Sequence, residues 1–243
     1  MRKLIVGGAG GKMGSTVISL AEKHDLTVVA GVDEKFLTPK CTGETACEYP
    51  LNEDSFFKYK NYTTLSEKCD VIVDFSSPSG TVNAVEYAVK TKTPIVVAAT
   101  GLSSAQLNIV QAAAKEIPVV YSENYSFGVN AFVSAVKTLV KPLTDYDVYI
   151  EEIHHTQKKD APSGTAKLIE REIACVTDKH TPVYSLRGGD IKGIHSVYVL
   201  GRNEMIEIKH TAFSRAIFAD GALICARRII GMPPKLYTVS DFI

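Results

Sequence analysis

The densest chemistry in the sequence is the run Glu151-Glu152-Ile153-His154-His155-Thr156-Gln157-Lys158-Lys159-Asp160-Ala161-Pro162-Ser163-Gly164-Thr165-Ala166. Two histidines and two lysines fall close together where a strand-like stretch gives way to a helix start. An imidazole can give or take a proton near neutral pH. Lysine ammonium groups and the unpaired amide N–H groups of a first helical turn both favour a carboxylate. The pattern predicts proton transfer on a small carboxylate-bearing molecule, with Ser163 as cap or first residue of the helix. A solvated polar loop before a capped helix would carry the same residue types. Adjacent histidines on an extended strand point opposite ways, so His154 and His155 make a poor chelating pair and no metal site is expected. Lys159 is expected outside the site, facing solvent and paired with Asp160.

A second candidate site stands at the N-terminus. Gly7-Gly8-Ala9-Gly10-Gly11-Lys12-Met13-Gly14 follows an apolar run directly and opens an amphipathic stretch. The strict G-x-G-x-x-G spacing is not met, but Gly8, Gly11 and Gly14 fit G-x-x-G-x-x-G. Glycines there allow a tight turn and let backbone N–H groups approach a pyrophosphate at a helix N-terminus. The next apolar run ends at Asp33, where a carboxylate can bind the adenosine ribose hydroxyls. Asp33 and Glu34 would repel a ribose 2′-phosphate, while Lys35 or Lys12 would attract it, so the pattern leans to NADH and leaves NADPH open. Phe75, Ser76, Ala98, Ala99 and Thr100 lie at two further strand ends on the same edge. Ser122, Glu123, Asn124 and Tyr125 lie at a third, placed to close over a nicotinamide.

The elements that must hold these residues follow from periodicity. Leu4 to Val6, Thr27 to Val32, Val71 to Phe75, Ile95 to Ala98 and Val119 to Tyr121 are continuous apolar runs, as strands covered on both faces require. Lys12 to Lys23, Thr81 to Lys90 and Ala105 to Lys115 have helical spacing. This alternation predicts an α/β fold with a Rossmann-like, doubly wound parallel sheet over residues 1–125. Residues 34–62, with Pro39, Gly43 and Pro50, are expected to be a long connection. Residues 126–212 change pattern: a helix from Val129 to Val140, a strand from Tyr146 to Ile153 and a helix from Pro162 to Val176. Three strand-like runs follow, Val183 to Leu186, Gly193 to Leu200 and Glu204 to Thr211, expected as an antiparallel meander in a second, α+β domain. A last helix, Phe213 to Ile230, is expected to pack back on the first domain or on the hinge.

Composition narrows the function class. Among 243 residues, Lys plus Arg and Asp plus Glu number 27 each, so no net field favours nucleic acid or an anionic membrane surface. No apolar run approaches the roughly 18 residues of a membrane span, and the N-terminal run is too short for a signal peptide, which suggests the cytosol. The 5 cysteines show no C-x-x-C pair. Cys41 and Cys47 are close enough in sequence to pair, but idle thiols fit a reducing compartment better.

The run His-His-x-x-Lys-x-Asp-x-Pro-Ser-Gly-Thr-Ala, with the Gly-x-x-Gly-x-Met-Gly turn, resembles the dihydrodipicolinate reductase family of lysine and diaminopimelate synthesis. The resemblance continues at Asp74-Phe75-Ser76, Thr100-Gly101, Asn124 to Asn130 and Ser214-Arg215-x-x-Phe218-x-x-Gly221-Ala222. It implies a two-domain subunit, usually a homotetramer, whose second domain holds an open mixed sheet. It also implies reduction of 4-hydroxy-tetrahydrodipicolinate, a small dicarboxylate, with NADH or NADPH. His154 would be the proton donor or acceptor and Lys158 the second donor, with His155, Ser163, Gly164 and Thr165 at the substrate. Gly8, Ala9, Gly10, Gly11, Lys12, Met13, Asp33, Phe75, Ser76, Ala98 to Thr100 and Ser122 to Tyr125 would line the nucleotide. Three positions depart from the usual pattern: Ala98-Ala99 for Gly-Thr, Ser122-Glu123 for small apolar residues, and Lys12 for an arginine, which keeps the charge without the planar fork. Two other readings stay open on residues alone: a nucleotide-sensing binding protein, and an aspartate-type or other amino-acid dehydrogenase.

Overall fold

The computed structural model describes residues 1–36, 47–51 and 54–243, and they separate into two compact units, 1–125 with 218–243, and 126–217.

The first unit is built on eight strands: β1 (Arg2–Gly7), β2 (Leu26–Val32), β3 (Cys47–Leu51), β4 (Asp54–Tyr59), β5 (Val71–Asp74), β6 (Ile95–Val97), β7 (Pro118–Tyr121) and β12 (Lys235–Tyr237). Their order is β12-β7-β6-β5-β1-β2-β4-β3, with every neighbouring pair parallel except β3 against β4. Leu4, Ile5 and Val6 are all fully buried, which explains why β1 reads as an unbroken apolar run: helices cover both of its faces. Those helices include α1 (Lys12–Leu20), α2 (Pro78–Thr91) and α3 (Ser104–Ala113). Each start has a local cause. Ser77 caps α2 by accepting from Gly80 N–H and Pro78 stands in its first turn, while Ser103 and Gln106 form a capping box on α3.

Residues 34–62 are not the plain connection the sequence suggests. β3 and β4 pair as an antiparallel ribbon at the edge of the sheet. Pro50 is compatible with this because β3 is the outermost strand, where a missing N–H breaks no inner ladder. The Cys41–Cys47 pairing lies outside the described residues. Cys69, Cys175 and Cys225 are free thiols.

The second unit carries α4 (Phe127–Val140), β8 (Asp147–His154), α5 (Gly164–Ala174), β9 (Val183–Arg187), β10 (Ile194–Leu200) and β11 (Met205–Thr211). Its sheet order is β11-β10-β8-β9, so the expected meander is corrected to a mixed sheet. α5 returns the chain to its starting end, and β9 therefore pairs parallel to β8. β10 then pairs antiparallel to the other side of β8. One face of this sheet packs Val148, Ile150, Val197, Val199 and Ile208 against Val133, Val136, Ile169 and Ile173 of the helices. The last helix, α6 (Ala216–Ile229), falls within the first unit from Phe218 onward. Its face of Ala219, Ala222, Leu223, Ala226 and Ile229 is buried.

The turn after β1 depends on absent side chains. Gly8 has φ +71°, and a Cβ on Gly14 would lie 2.1 Å from the Gly8 carbonyl oxygen, a backbone atom that cannot step aside. Gly14→Ala is therefore expected to cost about 1–3 kcal/mol of stability, read from urea unfolding, with nucleotide binding weakened in parallel. A variant as stable as the parent would contradict this packing.

Candidate active site

The carboxyl ends of the parallel strands carry one candidate site. A cavity of about 330 Å³ is lined there by Gly8, Gly11, Asp33, Lys35, Lys60, Phe75 and Ser76 among others. Asp33 organises it: one carboxylate oxygen accepts from Gly10 N–H at 3.0 Å and the other from Lys35 N–H at 2.9 Å. A carboxylate has about four lone-pair sites, so acceptor capacity remains for a sugar diol. Asp74, fully buried, accepts from the Thr81 hydroxyl at 2.6 Å and ties the end of β5 to α2. Burial pushes its carboxyl above the ordinary range, partly offset by Ser76 and Thr81.

Of the nucleotide residues inferred from sequence, Gly8, Gly11, Asp33, Phe75 and Ser76 line the cavity. Ala9, Ala98, Ala99 and Asn124 are buried beside the strand ends, Lys12, Thr100 and Glu123 are exposed, and Met13 and Ser122 are half-buried. Tyr125 is buried, and its hydroxyl donates to the Val97 carbonyl at 2.6 Å, which makes it a tie between strand ends. Lys60, at the end of β4, is a cavity residue the sequence reading missed because β4 itself was missed.

A second candidate site, in the second unit, extends the core face of the four-stranded sheet. Along β8, Val148, Ile150, Glu152 and His154 share the inward phase, and the apolar pair gives way to a polar one. His195 on β10 stands opposite Glu152 and His210 on β11. Glu152 is fully buried and its carboxylate is saturated. Arg187 grips it with Nη1 at 3.0 Å and Nη2 at 2.8 Å, Ser163 N–H donates to it at 3.2 Å, and His154 Nδ1 is hydrogen-bonded to it. Burial alone would raise this carboxyl, but Arg187, Ser185 and His154 outweigh burial and hold it at about 2.

His154 packs edge-on to His195 with ring centroids 5.2 Å apart. Burial lowers the His154 pKa below its ordinary value, with Glu152 opposing and Lys158 and Arg187 reinforcing the shift. Burial also drives His195 down to about 3, so that ring is neutral. His155, next along the chain, is half-buried and its Nε2 lies 3.2 Å from Arg215 Nη2.

Lys158, not Lys159, pairs with Asp160, at 2.8 Å to both carboxylate oxygens, which corrects the expected pairing. Lys159 is exposed. Ser163 is buried: its hydroxyl accepts from Ala166 N–H as the cap of α5 and lies 3.2 Å from His195 Nε2. Gly164 and Thr165 open the helix, and a Cβ on Gly164 would meet nothing within 4 Å. Glu152, Arg187, His195, His210 and Arg215 are the site residues to which sequence reasoning assigned no role. For Glu152, His195 and His210 a signal existed, since each is a titratable residue in the inward phase of an alternating strand.

Residues 2–125 match the family model described as dihydrodipicolinate reductase, N-terminus, and residues 128–243 match its C-terminus counterpart. The chain belongs to the dihydrodipicolinate reductase family. A 4-hydroxy-tetrahydrodipicolinate reductase of Caldanaerobacter subterraneus subsp. tengcongensis is 39% identical, the alignment covering 100% of this chain and 98% of the relative. One from Clostridium tetani is 34% identical over 98% and 96%. A dipicolinate-bound dihydrodipicolinate reductase from Paenisporosarcina sp. TG-14 shares the fold, with TM-score 0.83, 21% identity and both chains covered in full. This membership makes the chain an oxidoreductase with a Rossmann-type nucleotide domain. It favours neither a sensor nor an aspartate-type dehydrogenase.

The buried polar face has a pH signature. Between its folded value of about 3 and the ordinary 6.5, His195 takes up a proton only when the chain unfolds, so stability rises with pH across that window. Glu152, held at about 2 against an ordinary 4.5, contributes stability that is present above 4.5 and lost as pH falls toward 2. The urea midpoint is therefore expected to drop progressively as pH falls below about 6.5, with His195→Gln flattening the upper part of that slope. An identical slope in the variant would refute a neutral, buried His195.

Proposed function

We propose that the chain reduces 4-hydroxy-tetrahydrodipicolinate to tetrahydrodipicolinate, with NADH or NADPH, in lysine and diaminopimelate biosynthesis. The observation carrying this reading is that both halves of the chain match one reductase family, so the nucleotide turn and the His154–Thr165 cluster belong to a single enzyme.

The residues present fit a dinucleotide. Gly8 and Gly11 bring bare backbone of the turn to the wall of the cavity, and Asp33 lines the same cavity. Lys35 and Lys60 on the same cavity suit a 2′-phosphate while Asp33 and Glu34 suit a free ribose diol, which favours acceptance of both nucleotides. When bound, the reduced nicotinamide supplies hydride.

The remaining work falls to the second unit. The substrate carries two carboxylates, and the N–H groups of Gly164 and Thr165 at the start of α5 hold one of them. His155 and Arg215 lie together as partners for anionic substrate oxygens. His154, whose Nδ1 is occupied by Glu152, exchanges a proton through Nε2. Lys158 is the second donor: its ammonium has three N–H groups, and an incoming carboxylate competes with Asp160 for them. The enzyme works in the cytoplasm.

Nicotinamide absorbance with the condensation product of pyruvate and aspartate semialdehyde, against oxaloacetate plus ammonia, tests the reading. Oxidation of the nucleotide is expected only with the former. His154→Ala and Lys158→Ala are each expected to cut turnover about 100-fold or more with nucleotide affinity preserved. Near-normal turnover in both would withdraw their roles.

The enzyme assembles as a homotetramer through the outer face of the four-stranded sheet. Tyr184, Leu186 and Met205 are 56%, 48% and 57% exposed there, and Tyr149 stacks on Tyr184 in the same layer. Large apolar side chains grouped on a sheet face favour cover by a second copy. Leu186→Glu is expected to lower the mass measured by sedimentation equilibrium, and an unchanged mass would move the interface elsewhere.

A further inference from the structure

Several polar arms of the second unit's site meet at one carboxylate. We propose that Glu152 is a positioning residue for His154: its carboxylate holds the proton on Nδ1 and leaves Nε2 as the nitrogen that exchanges a proton with the substrate. This rests on the proposed proton-transfer role of His154.

The argument is geometric. A carboxylate ionised at neutral pH can only accept, so the imidazole nitrogen bonded to it must carry hydrogen. The Arg187 guanidinium and the Ser163 N–H are donors to Glu152 as well, and Ser185 adds a side-chain hydrogen bond, so the carboxylate has no proton of its own to offer the ring. Glu152 and His154 are two apart on β8 and share its inward face, which brings Nδ1 to the carboxylate without a bend in the strand. On the other edge of the ring, a Cβ on Gly193 would come within 3.1 Å of Nε2, so the bare backbone there gives the ring its room. The same carboxylate also binds the cap residue of α5, and one group thereby sets the imidazole relative to the helix start that receives the substrate carboxylate.

The charged and titratable groups facing His154 are Glu152 from its own strand, Lys158 with Asp160 from the following loop, Arg187 from β9, and His195, backed by His210, from β10 and β11. Glu152 is the carboxylate in contact with the ring, and Lys158 and Arg187 oppose it. Replacing the carboxylate therefore favours the neutral ring, and replacing the guanidinium favours the imidazolium. The two changes move His154 in opposite directions.

The experiment is a titration of His154 by nitrogen and proton NMR in the full-length protein, alongside kcat against pH. In the parent, the nitrogen shifts of neutral His154 are expected to show hydrogen on Nδ1. In Glu152→Gln the pKa is expected to fall by about one unit or more, moving the limb where turnover falls with rising pH to lower pH, with kcat down at least about tenfold and the nucleotide KM unchanged. Glu152→Asp should return the limb toward its parental position. Arg187→Met should raise the His154 pKa, and it decides the matter together with the parental tautomer if Glu152→Gln does not fold. A parental ring with hydrogen on Nε2 alone, or variants that leave the titration unmoved, would overturn the proposal. His154→Ala separates the two ideas: if it keeps full turnover, the role of His154 fails whatever Glu152 does. If it loses turnover while Glu152→Gln titrates like the parent, only the positioning role fails.

Discussion

A fully buried carboxylate that stays ionised is the constraint on which the second unit is arranged. Removing a charge from water costs several kcal/mol, and Glu152 meets that cost only because every direction around it holds a donor. The donors come from three elements: Ser163 ahead of α5, His154 at the end of β8 and Arg187 at the end of β9. Taking away one partner of such a group typically costs about 3–5 kcal/mol, because the charge left behind has neither water nor a mate. Cohesion and chemistry are thus coupled in a single cluster.

The two units solve the problem of presenting polar groups from an apolar scaffold in different ways. In the first, parallel strands end together, and backbone amides with short side chains collect at their carboxyl edge, where Asp33 and Asp74 stabilise the turns. In the second, side chains on one sheet face change from Val and Ile to Glu and His along the strands. The helices over that face then cover a core at one end and frame a site at the other.

Much of this could be read from residue order, for identifiable reasons. Unbroken apolar runs such as Leu4 to Val6 announce strands covered on both sides, and the cluster from His154 to Thr165 announces itself by polar density at an element junction. The edge ribbon of β3 and β4 was hidden by Pro50, which argues against a strand everywhere except at a sheet margin. The position of β9 beside β8 was also hidden, because pairing partners distant in sequence leave no local trace. His195 and His210 sit within otherwise ordinary strands, and only the combination of their phase with a knowledge of which strands adjoin brings them to His154.

The alternation on β8, β10 and β11 also bears on folding fidelity. Because successive strand residues face opposite sides, a slip of one position along β10 would turn His195 and Val197 away from the core face and bring Ser196 and Tyr198 onto it. Such a species would bury the wrong groups and have no imidazole beside His154. An almost-correct fold of this sheet therefore lacks the edge-on contact between the His154 and His195 rings, and the presence of that contact becomes a direct gauge of strand alignment in a preparation.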